Sequence, residues 1–132
     1  MTSIPPTAVA APMAKPPAAN PWAVINQAAT ALTMKNPDKM PAASRQAKAL
    51  DIATSAVEGF KAVQANPNNN VWVRNNAGTG LADAQRGIDA LTPNVGMLVH
   101  HQRIALSPET LLANVATARA AFFSAVGSAA LE

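Results

Sequence analysis

The chain has 132 residues, the size of one small domain, and its lack of cysteine excludes disulfides, thiolate metal ligands and cysteine nucleophiles. Ten Lys and Arg residues against seven Asp and Glu residues give a net charge of +3, but the cations are scattered singly along the chain. Nucleic-acid binding draws on clustered cations, so this distribution argues against a nucleic-acid-binding protein.

The predicted hydrophobic core is built mainly from small side chains. Apolar residues make up 49% of the chain, alanine is the most frequent of them, and there are three Phe, two Trp and no Tyr. Because alanine buries a single methyl group, such a core gains little free energy per residue. We therefore expect modest stability unless partner chains bury additional surface.

Proline dominates the N-terminal segment. Six of the eleven prolines fall within the first 21 residues, and proline fixes φ, removes an amide donor and favours extended backbone before it. The sequence predicts an extended Pro/Ala-rich arm over 1–19 and one helical domain over 20–132. The segment lacks a basic region followed by an apolar run, so it is not a signal peptide. The arm is either a disordered tail or a segment that lies on neighbouring subunits, with the interface candidates Pro5, Pro6, Pro12, Pro16 and Pro17.

Two helices are predicted in the first half of the domain. Asn20 followed by Pro21 is typical of a helix start, because the asparagine caps the helix and proline suits its first turn. This helix ends near Met34, and a second, the longest predicted, runs from about 41 to 65. Their apolar stripes at helical spacing are Trp22, Ile25, Ala29 and Leu32, and then Leu50, Ala53, Val57 and Phe60.

A short β element is predicted after the second helix. Pro67 and its neighbouring asparagines cannot continue a helix, since proline breaks it and asparagine side chains compete for backbone hydrogen bonds. The triplet Val71-Trp72-Val73 then resembles a strand, and Gly78 and Gly80 after it are typical of a turn. We expect at most one short β element, near 71–73.

Three more helices are predicted in the second half. The third begins at Thr79 or Gly80 and ends at Thr92-Pro93, and the fourth covers about 94–106. The fifth begins at Ser107-Pro108, which supply an N-cap and a first-turn proline. It ends near residue 127 and leaves 128–132 as a tail. The fold class is therefore all-α, an irregular bundle of about five helices.

No group of residues has the pattern of an active site. His100 and His101 are adjacent, so on a helix they point about 100° apart and cannot chelate one ion as an i, i+4 pair can. The segment Asn76-Ala-Gly-Thr-Gly80 resembles a phosphate loop but lacks its lysine and its preceding strand, so we interpret it as a turn. We predict no catalytic, cofactor or metal site and a protein that is not an enzyme.

The aromatic residues are the candidates for protein contact. Trp22 and Trp72 each sit in a short segment, where a tryptophan is either a core anchor or, for Trp72, the tip of an exposed contact loop. Phe122 and Phe123 in the fifth predicted helix complete the set of interface candidates.

Protein–protein contact is the function that these observations favour. We expect a structural subunit that binds copies of itself and other structural proteins, specifically an accessory component of a phage head or tail. The alternatives are a rod-like subunit of a bacterial appendage and a small helical adaptor with a flexible tail. We expect it in the virion or otherwise in the cytoplasm, since no fully apolar run approaches the roughly 20 residues that span a bilayer.

Overall fold

The computed structural model describes residues 20–33, 40–99 and 106–131. The predicted arm over 1–19, with its five candidate prolines, lies outside the described residues. So do positions 100–105 of the predicted fourth helix.

The described residues form four helices and a short terminal turn. Helix α1 is Pro21–Ala31, α2 is Ala43–Ala65, α3 is Val71–Val99 and α4 is Pro108–Gly127, and a 3-10 turn follows at Ser128–Leu131. These parts of the chain contain no strand, so the all-α prediction is confirmed for them. The predicted third and fourth helices are one helix as far as Val99, which makes α3, at 29 residues, longer than α2.

The β element predicted near 71–73 is wrong. The side-chain Oδ1 of Asn70 accepts the Val73 amide at 2.9 Å, and its backbone carbonyl accepts the Arg74 amide at 3.1 Å. Asn70 therefore acts as an N-cap, and Val71-Trp72-Val73 is the first turn of α3. The cap and the packing of the helix outweigh the β preference of the triplet.

The predicted helix end at Thr92-Pro93 is also wrong, because α3 continues through Pro93. Proline removes one helical hydrogen bond, so contacts outside the helix must hold the segment. The buried side chain of Asn94 supplies them: its Nδ2 donates to the Leu111 carbonyl at 2.9 Å and to Gln46 Oε1 at 3.3 Å. The residue after the proline is thus tied to both neighbouring helices.

Two predicted helix starts are confirmed by their caps. Asn20 Oδ1 accepts the Ala23 amide at 3.2 Å ahead of α1, and Ser107 Oγ accepts the Thr110 amide at 3.1 Å ahead of α4. Each cap is followed by a proline in the first turn. The tail predicted from residue 128 is instead the 3-10 turn, whose Ser128 is buried.

The helices form an up-down-up-down bundle in which α1 packs on α2 and α4, and α3 packs on the same two helices. The indole of Trp22, at the start of α1, lies against Phe60 near the end of α2 and donates to Ser128 after α4. At the opposite end, Gln46 near the start of α2 meets Asn94 near the end of α3. Neighbouring helices are therefore antiparallel.

The core seams carry small residues at alternating spacings of three and four. This is the period of knobs-into-holes packing, and small side chains let the helices approach closely. Leu50, Leu81 and Ile88 are half-buried at the edges of these seams, whereas Ile25, Leu32 and Phe60 are fully buried. The buried seams are Gln46, Ala49, Ala53, Ala56 and Phe60 in α2, and Ala77, Gly80, Ala84, Gly87, Leu91 and Asn94 in α3.

Two phenylalanine rings fill the space that the glycines of α3 leave. A Cβ atom added at Gly80 would lie 2.5 Å from Phe60 Cε1, and one added at Gly87 would overlap the ring of Phe122 in the same way. Phe60 comes from α2 and Phe122 from α4, so α3 receives one ring from each neighbour. Both glycines are required by close approach and not by a turn.

Candidate protein-binding surfaces

Two ion pairs lie on helix surfaces in the described ranges. Lys61 and Glu58 are 3.5 Å apart, and Arg86 Nη2 lies 2.7 Å from Asp83 Oδ1. Such exposed pairs contribute little to stability. Asp83 also accepts the Ser124 hydroxyl at 2.8 Å, which links α3 to α4. These carboxylates thus have structural contacts.

The described residues contain no group of three or more metal-ligating His, Cys, Asp or Glu side chains. The two histidines fall in the undescribed segment between α3 and α4. Positions 76–80, predicted as a turn, lie inside α3. Asn76 and Gly80 are buried there, so this segment presents no loop of free amides to a phosphate.

A cluster of three side-chain amides joins α2, α3 and α4 and was not predicted from the sequence. We call Gln46, Asn94 and Asn114 the amide cluster. Asn94 Oδ1 accepts from Asn114 Nδ2 at 2.9 Å, and Gln46 Nε2 donates to the Pro41 carbonyl at 3.0 Å. Because its members satisfy one another and nearby carbonyls, the cluster ties the helices together. The signal in the sequence is the spacing: Asn94 continues the heptad of Gly80 and Gly87.

Next to the amide cluster is an open depression of about 210 Å³, lined by Met40, Pro108, Glu109 and Leu112. Met40 Sδ is 3.8 Å from Gln46 Nε2, and the methionine is itself exposed. The one carboxylate among these apolar side chains is too few polar groups to orient a small ligand, since ligand pockets use several that converge.

Trp22 is a core anchor. Its Nε1–H donates to Ser128 Oγ at 2.7 Å, and its ring meets Phe60 edge to face with centroids 5.3 Å apart. This tryptophan therefore closes one end of the bundle, where α1, α2 and the 3-10 turn meet.

Trp72 lies on the surface. Its side chain is 66% exposed and that of Val71 is 53% exposed, so together they form an apolar patch at the start of α3, which we call the tryptophan patch. The predicted contact loop is in fact a helical turn, fixed by the Asn70 cap. A large aromatic held on a rigid element is typical of the residues that dominate protein interfaces.

The two adjacent phenylalanines of α4 have different surroundings. Phe122 is fully buried against Gly87 and is inaccessible to a partner in this fold, whereas Phe123 is 43% exposed. Phe123 lies on an outer face without charged residues, which we call the α4 face. Its members are Ala113, Ala116, Thr117, Ala120, Phe123, Ser124 and Gly127, all exposed except the half-buried Ala116.

Helix α4 also meets the length and hydropathy criteria for crossing a membrane, and it is the one helix in the described ranges that does. The core helix of a bundle can meet the same criteria. Here Val115, Ala118, Phe122 and Ala125 of α4 are buried in the bundle.

No protein-family model matches this sequence, and comparisons with curated proteins and with solved structures find no match. The surfaces described above are therefore the basis for any functional assignment.

Proposed function

We propose that this chain is a non-enzymatic structural subunit of a larger protein assembly and binds other protein chains through the tryptophan patch. The observation that carries the proposal is the 66% exposure of Trp72 on a capped, rigid first turn of a 29-residue helix. A flexible aromatic would lose conformational entropy on binding, whereas one held on a helix loses less.

The energetics favour contact with protein. Tryptophan combines a large apolar surface with one N–H donor, and such residues often contribute about 2 kcal/mol or more to an interface. The neighbouring Val71 extends the apolar surface. Asparagines 66, 68 and 70 around it are exposed, which gives the patch the polar rim that interfaces use.

The specific form of the proposal is an accessory component of a phage head or tail, located in the virion, with copies of itself and other structural proteins as partners. It is supported by a small helical body with exposed aromatics and by the Pro/Ala-rich sequence ahead of it. A proline-rich extended segment binds with a low entropy cost along neighbouring subunits. Co-sedimentation with intact particles, or its absence there, tests this form.

The two tryptophans provide a matched test of the tryptophan patch. We expect Trp72→Ala to leave the helix content and the unfolding midpoint unchanged while lowering the mass of the assembly measured by light scattering. Trp22→Ala should instead destabilise the fold by about 3 kcal/mol or more, because it leaves a cavity beside Phe60. The proposal fails if Trp72→Ala unfolds the chain or leaves the assembly mass unchanged.

A further inference from the structure

We propose that the open depression at the start of α4 binds the segment Lys15-Pro16-Pro17 from the predicted N-terminal arm of a second copy of this chain, so that copies join head to tail. The inference rests on the proposed role as an assembly subunit and adds a contact separate from the tryptophan patch. We call this surface the Glu109 depression, and its lining residues are Met40, Pro108, Glu109 and Leu112.

The Glu109 depression has the shape and chemistry of a surface that binds a short peptide segment. It measures about 210 Å³ and is open to solvent, whereas pockets that enclose small ligands typically measure about 300–1,000 Å³. Three of its four lining residues are apolar, and Glu109 is the one charged group. Among the residues that the structure describes, Glu109 has no ion-pair partner. The surface therefore combines apolar side chains with a carboxylate that can pair with a cation.

The N-terminal sequence contains a segment of matching chemistry. Lys15-Pro16-Pro17 is the one place in the chain where a lysine or arginine is followed by two prolines, and Lys15 carries the one charged side chain before Lys35. Consecutive prolines favour an extended polyproline II conformation, which binds apolar surfaces at a low entropy cost. The adjacent lysine supplies the charge opposite to that of Glu109.

Charge distinguishes the Glu109 depression from the tryptophan patch as the binding site of this segment. The sequence from 59 to 82, which includes the tryptophan patch, has no acidic residue and contains Lys61 and Arg74. A lysine bound there would have cations as its nearest charged neighbours, whereas at the Glu109 depression it faces a carboxylate. Because like charges oppose binding and opposite charges favour it, the segment prefers the Glu109 depression.

The number of residues between this segment and α1 requires a second copy. Trp22 at the start of α1 donates to Ser128 after α4, so the sequence ahead of α1 leaves the bundle at the end opposite Glu109. At about 1.5 Å per residue, α4 spans about 27 Å from Glu109 to its end. Pro16 is four residues before Asn20 and reaches at most about 14 Å from it, at about 3.6 Å per residue. It therefore cannot reach the depression of its own chain.

The resulting contact is head-to-tail, because the arm at one end of a copy meets the depression at the opposite end of the next. Contacts of this kind close into a ring or continue as a filament, depending on the rotation between copies. Each copy offers one arm and one depression, so binding one neighbour leaves a free surface for another. We therefore expect association to continue beyond the dimer.

Reversing the charges on the two sides tests the contact. Lys15→Glu opposes a glutamate to Glu109, and Glu109→Lys opposes a lysine to Lys15. We expect each variant alone to weaken association in sedimentation equilibrium by at least about threefold. An equimolar mixture of the two should restore association, because each arm then meets the opposite charge in the other variant. Glu58→Lys, at an exposed position of α2, changes the net charge as Glu109→Lys does and should associate like the unmodified chain.

The prolines can be tested separately from the charge. Replacing both Pro16 and Pro17 with glycine keeps Lys15 but removes the preformed extended backbone, so we expect association to weaken by at least about threefold. The same double substitution at Pro5 and Pro6 is the matched control and should leave association unchanged. Equal effects of the two double variants would overturn the assignment to this segment.

Cross-linking tests the head-to-tail direction. The chain has no cysteine, so introduced cysteines are uniquely labelled. A variant with both Ala14→Cys and Met40→Cys, treated with a short bismaleimide, should give a ladder of multimers on a denaturing gel, while each single-cysteine variant should stay monomeric. Cross-links confined to single chains, or no cross-links, would overturn the inference.

The outcomes separate this inference from the proposed function. Unchanged association in Lys15→Glu and Glu109→Lys, with loss of assembly in Trp72→Ala, would overturn the head-to-tail contact and leave the tryptophan patch in place. A cross-linked ladder that persists in Trp72→Ala would support the head-to-tail contact as an independent one. Charge variants that each weaken association but do not restore it when mixed would mean that Glu109 is paired within its own chain, and would overturn the inference.

Discussion

Gly87 and Gly96 lie in the same helix but have different surroundings, and this contrast can be measured. A Cβ atom at position 87 would overlap the ring of Phe122, whereas one at position 96 would meet nothing within 4 Å. We expect Gly87→Ala to lower the free energy of unfolding by about 1–3 kcal/mol through overpacking. Gly96→Ala should raise it by up to about 1 kcal/mol, because alanine is the better helix former. Urea unfolding of both variants checks this, and equal effects would contradict the close packing on Phe122.

The packing role of Gly80 and Gly87 could not be predicted from the sequence. Two glycines as close together as Gly78 and Gly80 are typical of a turn when only their neighbours along the chain are known. Gly80 packs against Phe60, which is on another helix, so this contact is known only once α2 and α3 are paired. For the same reason Phe122 could be proposed as an interface residue, while the structure buries it in the core.

The contribution of the amide cluster to stability can be tested at Asn94, because this residue bonds to both other members. Replacing it with alanine would leave the Leu111 carbonyl, Gln46 Oε1 and Asn114 Nδ2 without their present partner. We expect Asn94→Ala to lower the free energy of unfolding by about 2–4 kcal/mol, since unpaired buried polar groups are costly. Asn75→Ala, at an exposed position of the same helix, should change it by less than about 0.5 kcal/mol. An effect of Asn94→Ala no larger than that of Asn75→Ala would mean that the cluster does not stabilise the fold.

At the scale of helices, Pro93 and Pro108 should respond to alanine in opposite directions. Pro93 is exposed inside α3, where its ring crowds the preceding turn and its missing N–H removes a hydrogen bond. We expect Pro93→Ala to stabilise the chain by about 1–3 kcal/mol. Pro108 is in the first turn of α4, where proline fits, so Pro108→Ala should be neutral or destabilise by up to about 1 kcal/mol. Thermal unfolding distinguishes the two, and destabilisation by Pro93→Ala would show that the proline itself supports the helix.

The starts of α1 and α4 were predictable, whereas the start of α3, predicted at Thr79 or Gly80, and the helix end predicted at Pro93 were both wrong, for a physical reason. Asn20-Pro21 and Ser107-Pro108 contain both the cap and the first turn, so a few consecutive residues decide the structure. The continuation of α3 through Pro93 depends on Asn94 contacts with two other helices, which consecutive residues do not reveal. Likewise, the β preference of Val71-Trp72-Val73 ignores the cap that Asn70 provides.

For the whole molecule, the bundle places its charge on one side. The outer faces of α2 and α3 carry most of the charged side chains in the described ranges, while α1 has none and α4 has only Glu109 and the half-buried Arg119. Because α1 and α4 pack together, their outer faces adjoin on one side of the molecule. The charges of each helix can be counted from the sequence, but the contact between α1 and α4 is known only from the topology. Among the interface candidates, Trp72 and Phe123 are exposed and Trp22 and Phe122 serve the bundle.

The central claim is that this small bundle leaves aromatic surface exposed for other protein chains. The most direct test is the weight-average mass of the full chain by sedimentation equilibrium from about 1 μM to 1 mM, a range that covers weak to moderate association. We expect the mass to rise above that of the monomer with concentration, and to rise less in Trp72→Ala at unchanged helix content. A monomer mass throughout the range for the unmodified chain would contradict the claim that it associates with copies of itself.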